Sequence, residues 1–347
     1  MSIRHVFWNS EQRRIRAGWR VLAQVAGFFA LLLIGQLILN GVILDAAIPD
    51  PGSAPVATRQ IAASIIQLMA PLFVVVSVWL AGRWLDKRPL AGFGLHLGGR
   101  WWGDFGFGLA LGAGLMAMIF AVELAAGWVT VTDYFVTREG GLPFMPGILL
   151  PLIGYLAVGI GEELWTRGYI LTNLAEGFNG RRIGPGLAIG VATIIQGAIF
   201  AVLHANNPNA TLTSTASIFL IAFLLALGYV LTGQLAISIG LHITWNFFQG
   251  NVFGFPVSGG QFAVGTLVGT EQAGPALWTG GRFGPEAGLV SILALAVGSL
   301  LTLLWVRMRQ GRVGLARQIA EAPESAVPAG EAGSKPIGQS AHISAEA

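Results

Sequence analysis

Long apolar runs, separated by short polar stretches rich in Arg, Gly and Pro, fill most of the chain. A helix rising about 1.5 Å per residue needs roughly 20 apolar residues to cross a bilayer. On that measure the pattern predicts eight transmembrane helices, at residues 21–46, 61–81, 105–129, 146–174, 186–205, 216–231, 235–249 and 287–305. The fourth is long enough to tilt, and the seventh is short. A transmembrane barrel alternates polar and apolar residues within each strand, and this chain does not. The fold class expected is therefore all-α, a polytopic membrane protein with a helical bundle.

The basic residues give these spans a direction. Arg4, Arg13, Arg14, Arg16 and Arg20 precede the first; Arg83, Lys87, Arg88 and Arg100 lie between the second and third. Arg181 and Arg182 lie between the fourth and fifth, and Arg307, Arg309, Arg312, Arg317 and Lys335 follow the last. With eight passes all of these fall on one side, and only Arg59, Arg138 and Arg282 fall on the other. The positive-inside rule then makes both termini cytoplasmic. An odd number of spans would put the C-terminal Arg cluster on the wrong face.

Composition agrees. Of 347 residues, 54% are hydrophobic and 11% charged, and the mean hydropathy is +0.68. An ordinary soluble domain carries about 25% charged residues. The net charge of +3 is accounted for by topology and gives no reason to expect a nucleic-acid partner. Cysteine is absent, which excludes disulfides, thiolate metal ligands and a thiol nucleophile. The first apolar run is too long for a cleavable signal. The expected organisation is a basic N-terminus (1–20), helices 1–3 (21–145), a core holding helices 4–8 (146–310) and a cytoplasmic tail (311–347), disordered from about Glu321. The Gly-rich stretch 250–286 is long for a structureless loop, so it is read as functional or partly structured. Gly108 and Gly112 form a GxxxG that predicts close helix packing.

Charged and strongly polar side chains inside spans are costly and mark function. Here they cluster in spans 4, 5 and 7: Glu162, Glu163 and Arg167; Phe200 and His204; His242 and Asn246. Glu163 and Arg167 stand i,i+4, the spacing of an intrahelical ion pair. Glu162 lies about 100° around the helix, with no sequence-local cation. His242 and Asn246 share a face, as do Phe200 and His204. If the three helices meet, a free carboxylate, two imidazoles and a carboxamide line one polar cavity. A buried Glu suits a general base for water, and His and Asn donors can stabilise an oxyanion. Glu162, His204 and His242 could instead hold a divalent metal such as Zn, with water in the fourth position. The spacing does not choose. His204 lies nearer the outer end of its span than Glu162 and His242, a mismatch in depth unless that span is tilted or displaced.

The bland readings are equally concrete. Glu163 and Arg167 can be purely structural, His242 and Asn246 an interhelical hydrogen-bonded pair, and Phe200 packing. Glu123, near the outer end of span 3, is expected to snorkel.

The order E-E-x-x-x-R, F-x-x-x-H and H-x-x-x-N on separate late helices resembles the CPBP family of intramembrane proteases, which includes CAAX prenyl endopeptidases and bacterial Abi proteins linked to bacteriocin immunity. The resemblance covers about residues 146–256. It implies an eight-helix fold and a glutamate-activated water that hydrolyses a peptide bond of a membrane-bound or lipidated protein. Glu162 would be the base. His204, His242 and Asn246 would orient water and stabilise the oxyanion, with Glu163 and Arg167 in support. It further implies an integral protein of a bacterial cell membrane. Thr166 departs from the Phe often found before the Arg, a change expected to tune the pocket. Two other functions fit the same residues: a non-catalytic immunity or assembly factor, and a transporter with an intramembrane Glu/His relay.

Overall fold

The computed structural model describes residues 4–39, 41, 53–180, 182–260 and 264–323. Residues 42–46 of the first predicted span, Arg181, Lys335 and the tail beyond 323 lie outside them. Among the described residues, eight α-helices of twelve or more residues form the bundle: α1 (Ala17–Ile38), α2 (Val56–Ala81), α3 (Gly99–Ala125), α4 (Phe144–Glu163), α5 (Pro185–His204), α6 (Leu212–Thr232), α7 (Ala236–Phe247) and α8 (Leu289–Gln310). α4 runs on through a π-helical segment, Leu164–Leu171, and a last stretch, Thr172–Phe178. A second π-helical turn, Phe248–Val252, extends α7.

Seven of these, counting the extended α4 as one, are long and apolar enough to cross a membrane. α7 is the exception, and it matches the seventh span, which the sequence predicts to be short. Its start is buried just beneath the basic end: the Leu235 amide donates to the Gly94 carbonyl at 3.0 Å, and Leu235 packs against Gly168. Ten of its twelve helical residues are buried. A helix enclosed by protein does not have to match the bilayer thickness, which explains its length.

The GxxxG expectation holds, and α7 is what it packs against. A Cβ on Gly108 would stand 2.4 Å from the Ile237 carbonyl oxygen, and one on Gly112 would stand 2.4 Å from that of Leu241. Backbone contact this close lets the Thr244 hydroxyl of α7 donate to the Leu109 carbonyl of α3 at 2.8 Å. Without a hydrophobic drive inside lipid, such small-residue seams and interhelical hydrogen bonds hold helices together. Large apolar residues face outward instead: Leu22, Phe29, Leu33 and Leu37 of α1 are all exposed, as a lipid-facing surface requires.

The basic segments do meet at one end. Arg20 pairs with Asp86 at 2.9 Å and with Glu176 at 2.7 Å, Arg14 also pairs with Glu176, and Arg88 reaches Glu176 at 3.4 Å. Arg309 at the end of α8 pairs with Asp104 at the start of α3. The opposite end is closed by two strands absent from the predicted pattern, β1 (Val129–Thr137) and β2 (Gly265–Gln272), paired antiparallel. Span 3 therefore ends at Ala125, and Val129 begins a strand. β2 also corrects the reading of Glu123. That carboxylate does not snorkel: it is fully buried and accepts from Gln272 Nε2 at 2.7 Å, because β2 covers the end of α3. The stretch 250–286 is thus partly structured, as expected.

Candidate active site

Span 4 supplies the acids. Glu163 is the last residue of the regular part of α4, and the π-helical segment begins directly after it. Wider turns of this kind recur at functional sites. The predicted ion pair forms: Arg167 Nη1 donates to Glu163 Oε1 at 3.0 Å, and both side chains are fully buried. Arg167 also donates to the Thr166 hydroxyl at 2.8 Å and to the Ala222 carbonyl of α6 at 3.3 Å, and its guanidinium lies 4.5 Å from the Phe200 ring centre. Phe200 is therefore more than filler, since it seats the cation that holds Glu163.

Glu163 has a second partner that local spacing did not reveal. Its Oε1 lies 2.8 Å from His242 Nδ1, joining α4 to α7. With Glu163 accepting, His242 carries a proton on Nδ1 and turns Nε2 toward the other acid. Nε2 stands 3.9 Å from Glu162 Oε2. That oxygen is buried and, among the described residues, has no hydrogen-bond partner. The Glu162 side chain as a whole is 34% exposed, toward a cavity.

His204 is the last residue of α5, and its Nδ1 lies 2.8 Å from the Phe200 carbonyl. A carbonyl can only accept, so Nδ1 is protonated there and Nε2 is left for chemistry. The depth mismatch does not arise, since Glu162, His204, His242 and Asn246 line one cavity.

One cavity of about 360 Å³ is lined by Glu162, His204, His242 and Asn246 together, with Phe200, Tyr155 and Thr166 in its walls. All four predicted catalytic positions thus meet. Glu163 and Arg167 stand behind them. Thr166 takes its place through hydrogen bonds: its hydroxyl donates to the Glu162 carbonyl at 2.5 Å and receives Arg167. A narrower recess of about 30 Å³, room for a water molecule, continues past His204, His242 and Asn246 to Ser258 and Glu286.

Tyr155, Ser258 and Glu286 are among the wall residues that the sequence reading missed. Tyr155 lies two helical turns before Glu162 on α4, and that spacing could have found it. Ser258 and Glu286 come from the segment between α7 and α8 and have no local signature. Burial raises the Glu286 carboxyl above its ordinary value, opposed first by its hydrogen bond with Ser258 and then by the attraction of His204. As for a metal, Glu162, His204 and His242 all face the cavity. Among the described residues, however, no group of three or more His, Cys, Asp or Glu side chains is gathered in metal-binding geometry.

Fold and site together define an integral membrane protein with a carboxylate–imidazole centre inside its helical bundle. Residues 144–248 match the family model described as type II CAAX prenyl endopeptidase Rce1-like. That match bears out the resemblance drawn from the three motifs and points to an intramembrane endopeptidase acting on a protein substrate in the membrane. It covers a little under a third of the chain. No curated protein and no solved structure matches.

Proposed function

We propose that this chain hydrolyses a peptide bond of a membrane-bound or lipidated protein, using water activated by Glu162. The observation that carries the reading is the unpartnered Glu162 oxygen, buried 3.9 Å from His242 Nε2 in a cavity it shares with His204 and Asn246. Glu163 also has an unpartnered oxygen, but its side chain is fully buried and absent from the cavity wall, whereas Glu162 is part-exposed to a space where water fits.

In the proposed reaction, water sits between Glu162 and His204 Nε2. Glu162 takes its proton as the oxygen attacks the scissile carbonyl carbon, and the C–O bond forms. Negative charge develops on the carbonyl oxygen and is met by the Asn246 carboxamide N–H and by His242 Nε2–H, one helical turn apart on α7, with His242 carrying protons on both ring nitrogens between Glu162 and Glu163. When the C–N bond breaks, the proton held by Glu162 passes to the departing amine. Glu163 and Arg167 touch no reacting atom in this scheme; they fix the His242 ring. The basic end of the bundle is assigned to the cytoplasm, by the positive-inside rule.

The test compares peptide termini across the membrane proteome of cells making the wild type or Glu162→Gln at matched levels. New termini with the wild type alone are expected, and they name the substrates. Identical termini from two folded, inserted proteins would remove the protease reading and leave the transport and partner readings.

A further inference from the structure

The segment between α7 and α8 closes the site through a short turn, Val257 to Gly260, whose ends are bridged to each other. Ser258 in this turn lines both the cavity and its inner recess. Four groups pin the turn from two directions. From the α5 side, Asn207 Nδ2 donates to the Ser258 carbonyl and Asn209 Nδ2 to the Gly259 carbonyl, each at 3.0 Å. From the α8 side, the Phe283 carbonyl accepts from the Gly259 amide at 2.7 Å, and the Glu286 carboxylate accepts from the Ser258 amide. The fit is tight. Gly259 has φ +84°, and a Cβ there would fall 1.7 Å from the Pro208 carbonyl oxygen.

Asn207 belongs to the same piece of chain as His204, and its amide donates to the His204 carbonyl at 3.1 Å. A continuous path therefore runs from Glu286 through Ser258 and Asn207 to His204. Glu286 is itself 3% exposed and lies just before α8, outside the segment that matches the family model. Burying a carboxylate is costly unless it is hydrogen-bonded, so the position calls for a specific role.

We infer that Glu286 is a positioning residue of the active site, locking the Val257–Gly260 turn as a roof and, through Asn207, setting the place of His204. Its catalytic consequence rests on the proposed function above, whereas the lock itself does not.

The two are separated by measuring both in the full chain in detergent. Amide hydrogen exchange is followed across residues 203–209 and 255–260, and cleavage of a farnesylated peptide with a CAAX ending is followed beside it. Glu286→Ala removes the acceptor, and exchange in both stretches is expected to rise about tenfold. Glu286→Gln keeps an acceptor oxygen and is expected to restore protection. In cleavage, the Ala variant loses about ten- to a hundredfold in kcat, the scale of a small misplacement, with KM within about twofold, and the Gln variant recovers most of it. Exchange unchanged by Glu286→Ala, or raised equally in the Gln variant, overturns the inference. Should Glu286→Ala not fold, Asn207→Ala breaks the same lock from the other side, and unchanged exchange at 255–260 there overturns it as well. Raised exchange beside a wild type that leaves the probe uncut keeps the lock and removes the farnesylated CAAX ending as the substrate, while the protease reading itself is decided by the comparison of peptide termini.

Discussion

Two buried charge clusters lie within this bundle, and they are built on opposite plans. At the basic end, Glu176 uses both carboxylate oxygens, receiving Arg14, Arg20 and Arg88, while Asp86 receives Arg20 on one oxygen and the Tyr169 hydroxyl on the other. Burial lowers the Arg14 guanidinium from its usual value, against the pull of Glu176. The carboxylates here are saturated, and the cluster ties the N-terminal segment to α2 and the far end of α4. In the central cavity, Arg167 and His242 both meet Glu163 on Oε1, and one oxygen of each acid, Glu163 Oε2 and Glu162 Oε2, has no partner among the described residues. What sets Glu162 apart from Glu163 and Glu176 is its place in the cavity wall, and burial alone does not separate the two clusters.

Replacing the open carboxylate tests this contrast with the largest expected effect. Glu162→Gln should lower the cleavage rate by about 10²–10⁴-fold, the usual scale of general-base catalysis, with the melting temperature in detergent unchanged. Retained activity would falsify the base assignment. The closed cluster should answer in the opposite way. Glu176→Ala leaves Arg14, Arg20 and Arg88 short of a counter-charge and should cost about 3–5 kcal/mol of stability, as broken buried ion pairs do. Cleavage per folded molecule should stay near wild type, and an unchanged denaturation midpoint would show that the network is idle.

Asn246→Ala should reduce kcat by about 10²–10³-fold, as removal of one oxyanion donor does, and leave stability nearly intact. A rise in KM alone would move Asn246 from the reacting oxygen to substrate binding. Thr166→Val removes one neutral hydrogen-bonding group between Glu162 and Arg167 and should cost about 1 kcal/mol in melting experiments. The smallest effect is expected from chelation. Prolonged treatment with a zinc chelator should leave the cleavage rate within about twofold; a loss reversed by Zn would recast Glu162, His204 and His242 as ligands.

Legibility followed sequence distance. The Glu163–Arg167 pair, the shared face of His242 and Asn246 and the lack of a sequence-local cation for Glu162 are consequences of helical spacing, so the sequence showed them. The hydrogen bond from His242 to Glu163 spans 79 positions, and no local rule contains it. The same holds for Glu286, which reaches the Ser258 amide across 28 positions from a Gly-rich stretch without periodicity. Glu123 misled for a related reason. Its place near a helix end suggested snorkelling, but the strand that buries it arrives from residue 265 onward.

By itself the sequence determined the all-α membrane class, the common side of the basic segments and the three motifs. Each follows from local quantities: apolar run length against bilayer thickness, Lys and Arg counts in short loops, and spacing on one helix. Only the tertiary structure decided that α7 is enclosed by its neighbours along its length, that the three motifs meet in one cavity, and that a turn pinned by Glu286 closes over them. Those outcomes depend on contacts between distant segments, whose geometry is set by packing the whole chain at once.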